Sequence, residues 1–378
     1  MNSFDKIREQ FPITRNKIFL NHAAESPLPR PVTDAINRYV KDFSTTGTYP
    51  TEWEDYGKPF FAKLIGAETE EIALVENTST GINMAANALH PSSGSKIVTT
   101  DLEHPSIVYP WLRKGLGLKI HYVKSVGGRI LLEDVEKAVD DETVAIAISH
   151  VEYANGFRHD LRALSEIIHE HGGHLVVDAI QSAGAIPVDV RRDSVDFLSC
   201  SCYKWLLGPA GAGYLYVNEK LIEDLDPPFV GWASVKPEVF GTEDSWDIRS
   251  LSLSETATRF EVGSPCLLSL VGAREALKML LNIGIDKIQE RLAKLTDHLI
   301  TTVKNSGFEL QTPEELANRS GIINFKTKTP KKVVEGLSSE GIVVSARANG
   351  VRVSPHFYNT EEEIDKAMSQ VRSLTGAF

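Results

Sequence analysis

The sequence is poor in cysteine and contains no long apolar run. Three of its 378 residues are cysteine, too few for the disulfide framework of a secreted domain. We expect Cys200, Cys202 and Cys266 to be buried thiols rather than metal ligands. No segment is long enough to cross a bilayer, and the polar N-terminus lacks the apolar stretch of a secretory signal. These absences predict a cytoplasmic protein with no membrane partner.

The sequence also lacks a cluster of basic residues. Asp and Glu outnumber Lys and Arg by 51 to 40, for a net charge of −11, so a nucleic-acid partner is not expected. Three histidines lie close together at His169, His171 and His174, but their spacing matches no metalloprotease helix. We therefore predict no metal site. The chain is 42% hydrophobic and 24% charged, as in ordinary globular proteins.

Short apolar runs alternate with amphipathic stretches over the first two thirds of the chain. Such runs are too short for helices, and they favour strands of a mostly parallel sheet that is buried on both faces. Between two of them, residues 161–171 have helical periodicity and precede Gly172 and Gly173, which indicates a helix end. The fold class is therefore predicted to be α/β. The predicted strands are residues 97–99, 119–123, 144–149, 174–177, 197–199 and 213–217.

After about residue 269 the pattern changes to longer helices and a few short strands. This change predicts a smaller α+β domain at residues 269–378, after a larger domain at 18–268 and an N-terminal arm at 1–17 that packs on the small domain. The predicted helices are 270–281, 285–304 and 360–374, and the predicted strands are 321–325, 342–345 and 351–354.

The strongest chemical signal is Lys204, which lies in the apolar stretch 195–213. Desolvation in such a stretch lowers the pKa of a lysine and makes its amine more nucleophilic. A surface lysine whose stem lies along an apolar patch has the same local pattern. The lysine alone therefore does not decide between the two interpretations.

Two further features, Asp178 and residues 76–81, precede Lys204 in the sequence, and their order along the chain is informative. Asp178 ends a predicted strand, where ligands bind in open α/β sheets, and it could keep a heteroaromatic nitrogen protonated. Residues 76–81 place hydroxyls and free N–H groups at a helix start, which suits a phosphate. Plain helix capping by Asp178 or by Thr78 and Ser79 explains each feature alone. The combined order favours a cofactor that has a pyridine ring, an aldehyde and a phosphate.

With these motifs, the chain resembles the class V aminotransferase family of fold type I pyridoxal 5′-phosphate (PLP) enzymes from about residue 18 to 374. The family includes cysteine desulfurases, selenocysteine lyases and isopenicillin N epimerase. The resemblance implies a large domain with a mostly parallel seven-stranded sheet flanked by helices, a smaller C-terminal domain, PLP as cofactor and an obligate homodimer.

The resemblance also implies which residues hold the cofactor ring. Lys204 would bond covalently to PLP and, once displaced by substrate, move the α-proton. Asp178 would pair with the ring nitrogen, Gln181 would hydrogen-bond the ring hydroxyl, and His104 would stack on the ring, although a turn residue before Pro105 is the ordinary interpretation of that histidine. Further cofactor contacts are implied for Thr78, Ser79, Ser201 and Tyr203, and for Ser264 at the phosphate of the neighbouring subunit.

Substrate contacts are implied at both ends of the chain. Arg352 matches the arginine that binds the substrate α-carboxylate with its planar fork, although a surface ion pair is the common role of a strand arginine. Ala24, Tyr153 and Asn155 match segments close to the substrate.

One departure from the family bears on the reaction. Desulfurases carry a nucleophilic cysteine before the carboxylate arginine, and residues 345–350 contain none. The sequence therefore favours a C–S lyase that acts on cysteine or a cysteine conjugate by β-elimination, without an enzyme persulfide. An aminotransferase or an epimerase is the alternative, and a non-catalytic binding protein with this fold is a remote one.

Overall fold

A seven-stranded sheet forms the centre of the fold in the computed structural model, which describes residues 3–236 and 248–376. The strands of the chain are β1 (Ile18–Phe19), β2 (Ile72–Val75), β3 (Lys96–Thr100), β4 (Lys119–Val123), β5 (Thr143–Ser149), β6 (His174–Asp178), β7 (Phe197–Ser201), β8 (Gly213–Val217), β9 (Ile323–Lys326), β10 (Ile342–Val343), β11 (Ser345–Arg347) and β12 (Gly350–Val353). The strand order of the central sheet is β2-β8-β7-β6-β5-β3-β4. Strands β3 to β7 run parallel to one another, whereas β8 is antiparallel to both β7 and β2. The predicted α/β class with a mostly parallel sheet is therefore confirmed.

Helices cover both faces of this sheet, since both faces are apolar and need apolar partners. As a result β7 and β8 are buried along their whole length, and β5 at all but one residue. The predicted helix at 161–171 spans Leu161–His169, and the Asp160 side chain accepts a hydrogen bond from Ala163 N at its start. The helices are α1 (Ser3–Arg8), α2 (Arg30–Thr46), α3 (Lys58–Ile65), α4 (Thr78–Ala88), α5 (Pro105–Leu112), α6 (Leu132–Ala138), α7 (Leu161–His169), α8 (Glu219–Ile222), α9 (Leu267–Ile283), α10 (Ile285–Asn305), α11 (Pro330–Ser339) and α12 (Glu361–Thr375).

The C-terminal part has a separate apolar core. A three-stranded antiparallel sheet, β11-β12-β9, packs with α10, α11 and α12 around Phe325, Leu337 and Ile364. The N-terminal residues contact this part: Arg8 forms a 2.6 Å ion pair with Glu363. The division into units at 1–17, 18–268 and 269–378 stays a prediction.

Three predictions away from the site have different outcomes. Cys200 and Cys202 are buried, but Cys266 is exposed, so the prediction of a buried thiol is wrong there. Cys266 lies at the start of α9, on the surface of the chain, so its apolar sequence neighbours do not make it part of the core.

Two of the three clustered histidines lie within hydrogen-bond distance of carboxylates. His169 Nε2 lies 2.7 Å from Asp196, and His171 Nδ1 lies 2.7 Å from Asp141. None of the helices in the described ranges could span a membrane, and a cytoplasmic location stays a prediction.

Candidate active site

A cavity of about 350 Å³ opens where β5, β6 and β7 end and α4 begins. The carboxyl ends of parallel strands are the usual ligand edge of such a sheet. All but two of the residues predicted for the site line this cavity. They are Ala24, Thr78, Ser79, His104, Tyr153, Asp178, Gln181, Ser201, Tyr203, Lys204 and Arg352.

Lys204 lies on the loop between β7 and β8, with its amine in the cavity wall. The loop is held by hydrogen bonds from Cys202 N to Ala212 O and from Gly208 N to Cys202 O, both 2.9 Å long. Burial lowers the pKa of Lys204 to about 8, although the nearby Asp178 opposes the shift. A large share of this amine is therefore neutral near pH 8, as a nucleophile requires.

Asp178 ends β6 and is 3% exposed. Its Oδ1 accepts a 2.9 Å hydrogen bond from Ile180 N, and within residues 3–236 and 248–376 no cation forms an ion pair with it. Burial raises its pKa to about 6, partly offset by that hydrogen bond and by Lys204. A buried carboxylate without a counter-ion is unfavourable. Asp178 therefore fits a ligand that brings a positive charge, such as a protonated ring nitrogen.

The start of α4 forms a polar cradle. Thr78 N donates to Ser201 Oγ at 2.6 Å, and the two hydroxyl oxygens lie 3.0 Å apart. Ser79 Oγ donates to Ser106 Oγ at 3.0 Å. Gly81 lets the helix approach β7, because a Cβ there would lie 2.2 Å from Ser199 Oγ. Hydroxyls and a helix N-terminus at one end of the cavity fit a phosphate.

His104 lies at the cavity beside Tyr153, and the two rings meet edge to face at a centroid distance of 5.1 Å. The imidazole also caps α5, since its Nδ1 accepts from Ser106 N. His104 therefore lines the cavity and also lies in the turn before Pro105, and its predicted stacking on the cofactor ring stays a prediction. Burial lowers the pKa of His104, with further contributions from Lys204 and Arg347, so the neutral ring dominates at neutral pH.

Gln181 is held rigidly at the cavity. Its Nε2 donates to Ala23 O at 2.9 Å, and its Oε1 accepts from Trp205 Nε1 at 2.9 Å. The second Nε2 hydrogen is the group left for a further contact.

Arg352, on β12, is 1% exposed. Its Nε donates to Ser345 Oγ at 3.1 Å and its Nη1 to Tyr153 O at 2.7 Å. The described part of the chain supplies no carboxylate within ion-pair distance of this guanidinium. Burial lowers its pKa to about 9, and Arg347 adds to the shift. A buried, anchored guanidinium without a counter-ion fits a carboxylate ligand.

Two predicted residues lie outside the cavity. Asn155 Nδ2 donates to Gly128 O at 2.7 Å and its Oδ1 accepts from Phe157 N at 3.0 Å, so its amide holds a loop together. Ser264 lines a different depression, formed with Gly211 and Cys266. Its predicted role concerns the neighbouring subunit and stays a prediction.

Sequence reasoning missed an acid cluster behind the cavity, in which Glu103 is half-buried and Glu152 is buried. Ser149 donates from both N and Oγ to Glu103, each at 2.6 Å. Burial and the neighbouring Glu152 raise the pKa of Glu103 well above its usual range, and burial raises the pKa of Glu152 to about 8. His159, 3.0 Å from Glu152, has its pKa lowered to about 3 by burial. We therefore assign neutral forms to this His–Glu pair. The one signal in the sequence that could have indicated this cluster is the position of Glu103 next to His104.

The geometry fits an anionic, ring-containing cofactor together with a ligand that carries a carboxylate, and the comparisons identify the class of protein. The model of the family "Aminotransferase class-V" matches residues 18–367. An uncharacterized aminotransferase, YcbU of Bacillus subtilis, is 30% identical over 98% of both chains. A probable cysteine desulfurase of Pyrococcus abyssi is 30% identical over 98% of this chain and 97% of its own.

Among solved structures, the apo cysteine desulfurase of Thermococcus onnurineus has a TM-score of 0.89, at 28% identity over 99% of this chain and 98% of its own. The chain belongs to the class V aminotransferase family. It is a PLP-dependent enzyme, and the lysine, the buried carboxylate and the hydroxyl cradle fit that cofactor.

Proposed function

We propose that the enzyme is a C–S lyase that eliminates the sulfur substituent from cysteine or a cysteine conjugate and gives pyruvate and ammonia. The observation that carries the proposal is the β11–β12 hairpin. By the resemblance to the family, this hairpin corresponds to the segment in which desulfurases carry their nucleophilic cysteine, and residues 345–350 contain none. Cys200 and Cys202 are buried, and Cys266 lines another depression. None of the three cysteines therefore lines the cavity of its own chain, where a substrate sulfur would lie.

The roles proposed for the residues follow from their positions. PLP, when bound, withdraws electrons from the substrate α-carbon. Lys204 holds the cofactor covalently before substrate arrives and afterwards moves the α-proton at its Nζ. Asp178 keeps the ring nitrogen charged, and Arg352 orients the substrate through its α-carboxylate. His104 covers the ring in its neutral form. Gln181, Tyr203, Thr78, Ser79 and Ser201 complete the cofactor contacts, and Ala24 and Tyr153 border the substrate.

A homodimer is part of the proposal. Ser264 lies near exposed apolar side chains of the same chain: Val262 is 42% exposed, and Trp232, 52% exposed, packs on Gly263, where a Cβ would lie 3.2 Å from Trp232 Nε1. Exposed apolar patches mark association surfaces. The proposed partner of this surface is a second copy of the chain, whose phosphate site Ser264 would reach.

The reaction is tested by incubating the holoenzyme with cysteine, cystine and a panel of S-conjugates while pyruvate, ammonia and the sulfur product are measured. We expect equal amounts of pyruvate and ammonia, and the C266S variant should retain this activity because the proposal needs no thiol. If no substrate yields pyruvate but the α-proton exchanges in heavy water, the lyase is rejected in favour of an aminotransferase or epimerase. A cofactor-loaded protein without exchange would be a binding protein.

Arg352→Lys should lower kcat/KM by about 10- to 100-fold, because lysine keeps the charge but loses the paired, charge-assisted hydrogen bonds. The loss should fall mainly on KM, since the contact exists before and during the reaction. Steady-state kinetics with the best substrate measure it. A wild-type KM for the variant would contradict the proposed carboxylate contact.

A further inference from the structure

A second arginine, Arg347, lines the cavity and has no role in the reaction described above. It ends β11, and the β11–β12 register pairs Ser345 with Arg352 and Arg347 with Gly350. Directly paired residues share a face of the sheet, as do residues two apart on a strand. The side chains of Arg347 and Arg352 therefore lie on one face, about 7 Å apart along the strands.

The hairpin fixes this position. Ala348 and Asn349 form its turn with φ values of 46° and 59°, the left-handed conformations that tight hairpins require. Opposite Arg347, Gly350 has no side chain, and a Cβ there would lie 2.1 Å from Asn324 Oδ1. The end of the hairpin is thus packed against β9 and holds Arg347 at the mouth of the cavity.

Arg347 is exposed, and its Nη1 donates to the carbonyl of its own neighbour, Ala346, at 2.7 Å. Across the described ranges neither Arg347 nor Arg352 has a carboxylate within ion-pair distance. Two like charges that face one cavity repel each other unless anions enter between them. The α-carboxylate of a substrate can pair with the buried Arg352, but it leaves the charge of Arg347 without a bound anion.

We propose that Arg347 is a specificity residue that binds a second carboxylate, carried by the group attached to the substrate sulfur. This inference rests on the proposed lyase function and narrows it to acidic cysteine conjugates, such as disulfides of cysteine with a carboxylate-bearing thiol. In that reaction the Cβ–S bond breaks, the sulfur leaves with the bonding electron pair as a persulfide and takes up a proton, and the α-proton is lost. Water then converts the remaining three-carbon fragment into pyruvate and ammonia.

A matched pair of substrates tests the inference. The disulfide of cysteine with 3-mercaptopropionate carries a distal carboxylate, and the disulfide with 1-butanethiol replaces that carboxylate with an ethyl group but keeps the same scissile bond. The wild-type enzyme should prefer the acid, and Arg347→Met should lower the ratio of the two kcat/KM values by about 10-fold, the contribution of a charged hydrogen bond. Arg162→Met removes an exposed arginine on α7, paired with Glu166, and serves as the control that keeps the wild-type ratio.

Binding without turnover separates this inference from the lyase proposal. Calorimetry on the holoenzyme should show tighter binding of succinate than of butyrate, and the preference should be lost in Arg347→Met and weakened by salt. If no disulfide yields pyruvate but this preference holds, the lyase proposal fails and the second anion site stands. An equal loss for both ligands would assign Arg347 to the α-carboxylate, and no loss for either would leave it without a binding role; each result overturns the inference.

Discussion

Lys204→Ala is expected to lower kcat by at least about 10⁴-fold, because both the covalent anchor of the cofactor and the base for the α-proton are removed. The amine suits both tasks in its buried position, where its pKa is lowered to about 8. Pyruvate formation measures the loss of activity. Treatment with borohydride, which reduces a carbon–nitrogen double bond, should fix PLP permanently on the wild-type chain and leave the variant free of label after dialysis.

The matched control is Lys220→Ala, which removes an exposed lysine of α8. It should keep the activity and the borohydride label of the wild type. A label that persists in Lys204→Ala would place the covalent bond on another amine and would remove the basis of the proposed mechanism.

The sheet could be predicted from the sequence to a large extent because its strands are buried on both faces. Six apolar runs correspond to β3 to β8, within one or two residues at each end. The strand β2 was missed, since its four residues, Ile72–Val75, directly follow a short 3₁₀ helix without a flanking turn signal. The antiparallel direction of β8 is also invisible in the sequence, because a strand buried on both faces is apolar in either direction.

The residues of the candidate site also divide into those that the sequence could predict and those that it could not. Asp178 and Lys204 could be predicted because each lies in a local pattern, a strand end and an apolar loop, that carries a physical meaning without the fold. Arg347 could not, because its position at the cavity depends on the register of β11 with β12. Asn155 is the opposite case: the sequence motif placed it near the substrate, but its amide forms hydrogen bonds to Phe157 and to the distant Gly128 instead. Local sequence thus identifies chemical groups, and tertiary packing decides which of them face the ligand.

Asp178→Asn is expected to lower kcat/KM by about 10³-fold, the effect of removing one partner from a buried charge pair. The same variant should stabilise the cofactor-free enzyme. Burial raises the pKa of Asp178 to about 6, so its folded form holds the proton more tightly than the unfolded chain does. The free energy of unfolding of the apoenzyme therefore falls as pH rises from about 4 to about 6, by roughly 3 kcal/mol in total.

Asparagine does not ionise, so the variant avoids this loss. At pH 7.5 the urea midpoint of apo Asp178→Asn should lie above that of the wild type, and near pH 4.5 the difference should shrink to about a third. Asp224→Asn, at an exposed position after α8, should show neither effect. A variant apoenzyme that is less stable than the wild type at pH 7.5 would mean that the hydrogen bond from Ile180 outweighs the burial of the charge. The predicted result would instead identify Asp178 as a carboxylate held ready, at the expense of apoenzyme stability, for a positively charged ring.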